Sequence, residues 1–340
     1  MSLPRPRATR SATIARRLII VPGVVIGAIV GLTLLPFLLV IALLVDIVFR
    51  RWKLTTVRIV IAALVYLWVS VGIQVWGLMV WIATGFGRTM WEESGQRLVY
   101  LTIRAWMRSM LFVLRILGCK VRYDTATADL SGRVILIARH ESMGDVFVPT
   151  WFADSAGKRL RVVLTAGLNR EPSLDLFGHR SPQFFVKRDA TDKRAEVEAM
   201  KRFPDASDDN TAFVIWPEGA LVRPERRVRV LARLEKERPD LAERAHGLRH
   251  LLAPRVAGVS ALLDGADDAA VVLVGHTGFD QLTDPRTCWR SVPLDREVEL
   301  ISRRYERSEV PDSLAEREVW LFDRWDEMDD WIDAKLNDRP

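Results

Sequence analysis

The chain has 340 residues, 49% of them hydrophobic and 27% charged, which excludes a mainly disordered polymer. Two cysteines, Cys119 and Cys288, are too few for a disulfide framework, a four-cysteine zinc site or an iron–sulfur cluster, and they fit reduced thiols facing a cytoplasm. Net charge is +6, yet residues 1–118 carry +11 and the remaining 222 carry −5. Because this basic front third is also apolar, it points to anionic membrane lipid as a partner and away from nucleic acid.

The chain opens with a basic tail, residues 1–17, holding Arg5, Arg7, Arg10, Arg16 and Arg17. Residues 18–45 then contain no charged side chain, and neither do residues 59–87. Each run exceeds the roughly 20 apolar residues that a helix needs to cross a bilayer, and each is too long for the core of a cleaved signal peptide. A membrane helical hairpin over residues 18–90 is expected. The leading arginines favour a cytoplasmic N-terminus. The connecting loop, with Arg50, Arg51, Lys53 and Arg58, would then lie outside if both runs cross. A hairpin that dips in and returns would instead keep every basic cluster on one face.

Residues 91–118 follow. Within 98–118, Arg104, Arg108 and Arg115 share one helical face among Leu, Met, Phe and Trp106. The pattern predicts an amphipathic helix lying at the membrane interface; the alternative is an ordinary domain helix packed on a sheet.

From residue 119 to 340 the pattern changes to short apolar runs between helical segments. Strands are predicted at Val134–Ala138, Leu160–Thr165, Phe184–Lys187, Ala212–Trp216 and Ala270–Gly275. Helices are predicted at Gly144–Asp154, Lys193–Phe203, Gly258–Leu263 and Leu314–Leu336. Such alternation predicts an α/β domain with a mixed, largely parallel sheet flanked by helices. The charge-dense run from Arg223 to Arg249 reads as a solvated helical insertion.

Three blocks at strand ends could carry chemistry. The first is ARHESMGDVF, residues 138–147. His140 and Asp145 could not meet on one helix, because five positions rotate a side chain by about 140°. They meet if His140 lies on the strand-to-helix loop and Asp145 in the first turn, where a carboxylate suits the helix dipole. That pair would form a general-base dyad, with Asp145 holding one imidazole nitrogen and the other taking a hydroxyl proton. The second block is FFVKR, residues 184–188, whose Lys187 and Arg188 are placed for a phosphate. The third is VIWPEGAL, residues 214–221. There Pro217 ends a strand, Glu218 offers a carboxylate and Gly219 lets backbone approach a ligand. The histidines His179, His246, His250 and His276 form no recognisable metal set; His276, after the Ala270–Gly275 strand, could touch the site but reads first as structural.

In this order and spacing the three blocks resemble the glycerophospholipid acyltransferase family, the lysophosphatidic-acid acyltransferase-like enzymes. HGLRHLLAPRVAGVSALL at 246–263, VELISRRYERSEVP at 298–311 and WLFDRWDEMDDWI at 320–332 look like its subgroup with an N-terminal membrane hairpin. That subgroup holds the lysophosphatidic-acid, lysocardiolipin and lysophosphatidylglycerol acyltransferases. The resemblance implies a glycerol-3-phosphate acyltransferase-like fold, catalytic His140 and Asp145, and acceptor binding by Arg188, Pro217, Glu218 and Gly219. It implies acyl transfer from acyl-CoA or acyl-carrier protein to a lysophospholipid, with lysophosphatidic acid first, and no metal or bound organic cofactor. An integral membrane protein with its catalytic domain facing the cytoplasm is expected. The sequence departs at Arg139, where the family has Asn before the His. It departs again at Ala220 and Leu221, where the family has Thr or Ser and then Arg; Arg223 is one candidate replacement. Rival readings are a remodelling enzyme for another lysophospholipid, an acyl-thioesterase and a non-catalytic membrane lipid binder.

Overall fold

All five apolar runs that read as strands form β-strands, and they run parallel to one another. The structure, a computed structural model, describes residues 10–122, 129–142, 144–186, 192–294 and 297–338. In chain order the strands are β1 (Lys120–Arg122), β2 (Val134–Ala138), β3 (Arg159–Thr165), β4 (Phe184–Val186), β5 (Thr211–Ile215), β6 (Ala270–Thr277) and β7 (Glu297–Tyr305). The helices are α1 (Arg10–Thr33), α2 (Leu35–Val48), α3 (Thr55–Ala83), α4 (Glu93–Ile116), α5 (Phe147–Ser155) and α6 (Pro172–Gly178). They continue with α7 (Lys193–Lys201), α8 (Pro224–Glu237), α9 (Pro239–Gly247), α10 (Val256–Gly265), α11 (Pro285–Ser291) and α12 (Leu314–Asn337). The strand order is β1-β7-β6-β2-β5-β3-β4, with only the β6–β7 ladder shown antiparallel, so the sheet is mixed and mostly parallel as expected.

Two compact units emerge, and neither is one continuous stretch. The first takes residues 1–120, 163–190 and 285–296; the second takes 121–162, 191–284 and 297–340.

In the first unit the uncharged run 18–45 is not one helix. It is α1 and α2, meeting at Leu34, because Pro36 has no N–H to continue the ladder. The bonds Leu34 N to Val30 O and Leu38 N to Leu34 O, both 2.9 Å, carry the helical path across the break. α3 packs against both α1 and α2. Asp46, which ends the uncharged run, is buried and caps α3: its carboxylate accepts from Thr56 N at 2.9 Å and Val57 N at 3.1 Å.

α1 and α3 are each long and apolar enough to cross a membrane, and their most apolar windows are only 6% and 17% buried. A core helix of a soluble protein would be mostly buried, so these faces fit lipid better than protein. Several basic side chains beside them serve the protein itself. Arg16 and Arg17 pair with the buried Asp175 of α6. Arg51 donates to Trp289 O at 3.0 Å, and Arg58 to Ile116 O at 3.0 Å, at the end of α4. α4 is amphipathic as predicted, but its buried face, with Val99, Ile103, Trp106, Met107 and Met110, packs on helices α3 and α6.

In the second unit β2, β5 and β6 are almost fully buried, which explains their unbroken apolar runs. The run 223–249 does fold as helices, α8 and α9. α9 is less solvated than expected, since Leu241, Ala242 and Ala245 pack with Phe322 of α12.

Candidate active site

The register of three adjacent parallel strands builds the site. β2 is central, with Ile137 opposite Ile215 of β5 and Ala138 opposite Val274 of β6. Continued past the strand ends, the same register puts His140, Glu218 and His276 in one row across the sheet. Parallel strands share their carboxyl ends, so all three side chains arise on the edge where α/β proteins place their chemistry.

The loop from β2 to α5 wraps the Asp145 carboxylate. Oδ1 of Asp145 lies 2.9 Å from His140 Nδ1. Oδ2 accepts the backbone N–H of Ser142 at 2.7 Å and that of Glu141. Asp145 stands just before α5 rather than within its first turn, since the helix begins at Phe147. Both members of the pair are therefore loop residues, and the loop turns tightly enough to bring them together. Gly144 lets Phe279 and Leu282 pack close against that loop, because a Cβ there would meet their side-chain carbons at 2.9 Å.

Asp145 is fully buried, whereas the His140 side chain is 19% exposed. With Nδ1 facing Asp145, Nε2 is the nitrogen available to a hydroxyl. Burial alone would raise the Asp145 carboxyl, but the His140 hydrogen bond and the neighbouring His276 imidazole outweigh it and lower it to about 2. The group is therefore a carboxylate at neutral pH. The Trp216 ring flanks the His140 ring at 5.6 Å between centroids.

Glu218 extends from the turn after β5. Its Oε2 accepts the His140 backbone N–H at 3.3 Å, while its buried Oε1 has no hydrogen-bond partner. Burial pushes this carboxyl well above the ordinary range, and only partly does the nearby Arg139 charge oppose that. Glu141 is raised by burial too. Gly219 adopts φ +66°, the left-handed region that suits glycine, and Gly219 N closes the turn on Trp216 O at 3.0 Å. Pro217 O accepts from Arg255 N at 3.0 Å, tying the turn to the loop before α10.

Two residues near the dyad were not assigned a role from sequence. His276, read as structural, is fully buried with Nε2 3.6 Å from Asp145 Oδ2, so one carboxylate faces two imidazoles. Arg139 is also buried; it donates to His276 O and to Glu141 Oε1, the latter at 2.8 Å. The only sequence signal for His276 was its place at the end of a predicted strand. Lys187 and Arg188 lie outside the described residues. Arg223 is exposed at the start of α8, one residue beyond Val222, whose N–H donates to His140 O at 3.3 Å.

A partly open imidazole held by a buried carboxylate, at the carboxyl edge of a parallel sheet, defines a site that can accept a proton from a hydroxyl. Residues 120–253, which contain that loop and the Pro-Glu-Gly turn, match the model of the Acyltransferase family. An uncharacterized acyltransferase of Schizosaccharomyces pombe is 26% identical over 257 residues, covering 70% of this chain and 68% of that protein. Both matches point the same way as the resemblance of the motif blocks, toward the acyltransferases. Among solved structures, the chain is similar to the 1-acyl-sn-glycerophosphate acyltransferase PlsC of Thermotoga maritima. That match has a TM-score of 0.47 and 11% identity, covering 79% of this chain and 98% of that one.

Proposed function

We propose that this protein is a membrane-associated lysophospholipid acyltransferase that moves a fatty acyl group from a thioester, acyl-CoA or acyl-carrier protein, to a free hydroxyl. The first acceptor is 1-acylglycerol 3-phosphate, which would give phosphatidic acid. The observation that carries the reading is the 2.9 Å contact between His140 Nδ1 and Asp145 Oδ1 inside an acyltransferase-family domain.

In this scheme His140 Nε2 takes the hydroxyl proton as the oxygen attacks the thioester carbonyl carbon. The tetrahedral intermediate collapses, the carbon–sulfur bond breaks, and the imidazolium returns the proton to the departing thiolate. Asp145 fixes the imidazole tautomer and stabilises the transient cation. The transfer is direct, with no acyl-enzyme and no step that calls on a metal. Glu218 and Gly219, with Pro217 shaping their turn, line the acceptor side. The resemblance also assigns Arg188 to the acceptor, and Lys187 beside it in the sequence is a second cation for the same phosphate. Ala220 and Leu221, apolar residues after Gly219, favour keeping other lysophospholipids such as lysophosphatidylglycerol in the test panel.

The test is acyl transfer by the purified, detergent-solubilised chain with labelled acyl-CoA or acyl-carrier protein and a panel of lysophospholipids. A diacyl product is expected with wild type and about 10²–10⁴-fold less with His140→Ala. Free fatty acid in place of a diacyl lipid would replace this reading with thioester hydrolysis. A folded His140→Ala protein with near-normal transfer would remove His140 from the chemistry.

A further inference from the structure

β6 carries a histidine into the interior of the sheet. All eight of its residues are buried, and the parallel β2–β6 register sets His276 beside His140, two residues past the Ala138–Val274 pair. Two bonds fix its backbone there: Arg139 N donates to Val274 O at 3.1 Å, and the Arg139 guanidinium donates to His276 O. On the other flank, β7 places Leu300 opposite it. The Phe279 ring meets the imidazole edge-on, with 5.3 Å between centroids.

What this enclosed ring faces is the Asp145 carboxylate. His276 Nε2 lies 3.6 Å from Asp145 Oδ2, and neither nitrogen of the ring makes a hydrogen bond. Buried polar nitrogens left without a partner are rare and costly. An ionised carboxylate only accepts, so the nitrogen turned toward it must carry the proton. A movement of about 0.6 Å brings the pair to an ordinary N–H···O distance, and contacts in an active site commonly tighten when substrate is bound.

Asp145 then serves two imidazoles. Oδ1 meets His140 Nδ1, while Oδ2 accepts the backbone N–H groups of Glu141 and Ser142 and faces His276. A buried carboxylate pulls a neighbouring imidazole toward its charged form, and an imidazolium has no lone pair left to take a hydroxyl proton. Each further donor on Oδ2 draws charge from Oδ1 and favours the neutral base. The other charged groups around the pair are Arg139, Glu141, Glu218 and Asp280; on β7, Glu299 beside Leu300 pairs with Lys335 of α12 at 2.8 Å.

We infer that His276 donates its Nε2–H to Asp145 Oδ2 and, acting through that carboxylate, holds His140 in the base form that accepts the hydroxyl proton. His276 is thus a positioning residue for the dyad and touches no substrate. Its kinetic consequence rests on the lysophospholipid acyltransferase reading above.

The test compares the solubilised full chain as wild type, His276→Phe, His276→Gln, His140→Ala and His140→Ala with His276→Phe, each checked by a melting curve. Phe keeps a ring and loses the donor; Gln can place an N–H near the position of Nε2. Rates of acyl transfer are measured from pH 5 to pH 9. In His276→Phe the acid limb of kcat/KM should move up by about one pH unit, which is a tenfold loss well below the limb. KM for both substrates should hold. His276→Gln should restore most of the displacement. Adding His276→Phe to His140→Ala should cost nothing more, because the effect passes through His140. Arg139, Glu141, Glu218 and Asp280 are present in every variant, so a difference between profiles belongs to position 276.

A limb that stays in place while rate falls equally at every pH would mean that His276 only fills space, and the inference would fail. Equal displacement in Phe and Gln, or a rise in KM alone, would overturn it as well. Nitrogen-15 histidine spectra of wild type test the contact without relying on the Phe variant. With the His276 signals identified by their loss in His276→Gln, Nε2 should carry a proton at pH 7; an unprotonated Nε2 would overturn the inference. If wild type acylates no lysophospholipid, the functional reading falls, while the spectra still decide whether His276 donates to Asp145.

Discussion

His140 and Asp145 stand at the two ends of a six-residue stretch, with Asp145 Oδ1 2.9 Å from His140 Nδ1. No pattern along the chain links them to His276, because that contact depends on the β2–β6 register between segments far apart. The titration of Glu218 is equally hidden in sequence and follows from its burial. Its carboxyl holds a proton more tightly in the folded chain than at the ordinary value of about 4.3. Between those values the folded state binds more protons, so stability falls as pH rises. Asp145 has the opposite sign: its contribution is present above about 3.9 and is lost only as pH falls toward about 2. A comparison from pH 5 to pH 8 therefore reads Glu218 without Asp145. Glu218→Gln should flatten the decline of Tm over that range relative to wild type. Parallel Tm–pH curves for the two proteins would mean that Glu218 titrates as a solvated carboxyl.

At the scale of elements, the strand forecasts succeeded because β2, β5 and β6 are buried on both faces and must be continuously apolar. β7 was missed because EVELISRRY mixes charge with apolar residues, as suits a strand that is only partly buried. The break between α1 and α2 was missed because hydropathy alone passes over Pro36. α12 has a task that its helical pattern conceals: Asp329 holds three successive backbone N–H groups of the loop before α10. Asp329→Ala strands those donors and should cost about 3 kcal/mol in chemical denaturation. A variant with wild-type stability would show that water replaces the carboxylate at no cost.

For the whole molecule, the first question is the membrane. The most apolar windows of α1 and α3 are only 6% and 17% buried, which favours lipid around them. The full chain should therefore remain with membranes through high-salt and alkaline carbonate washes. Release by salt alone would mean that charge holds it there and that no helix is inserted.

Composition and local pattern by themselves determined the apolar front third, the strand–helix alternation, the His140–Asp145 pairing and the Pro-Glu-Gly turn. Each of these depends on residues a few positions apart, where periodicity and turn chemistry act. Tertiary structure alone decided which segments share a unit, with 163–190 and 285–296 joining the N-terminal helices. It also decided the second imidazole at Asp145 and the tie between Arg255 and Pro217. Those contacts follow from strand register and from a loop pinned by a distant helix, and residue order along the chain carries neither.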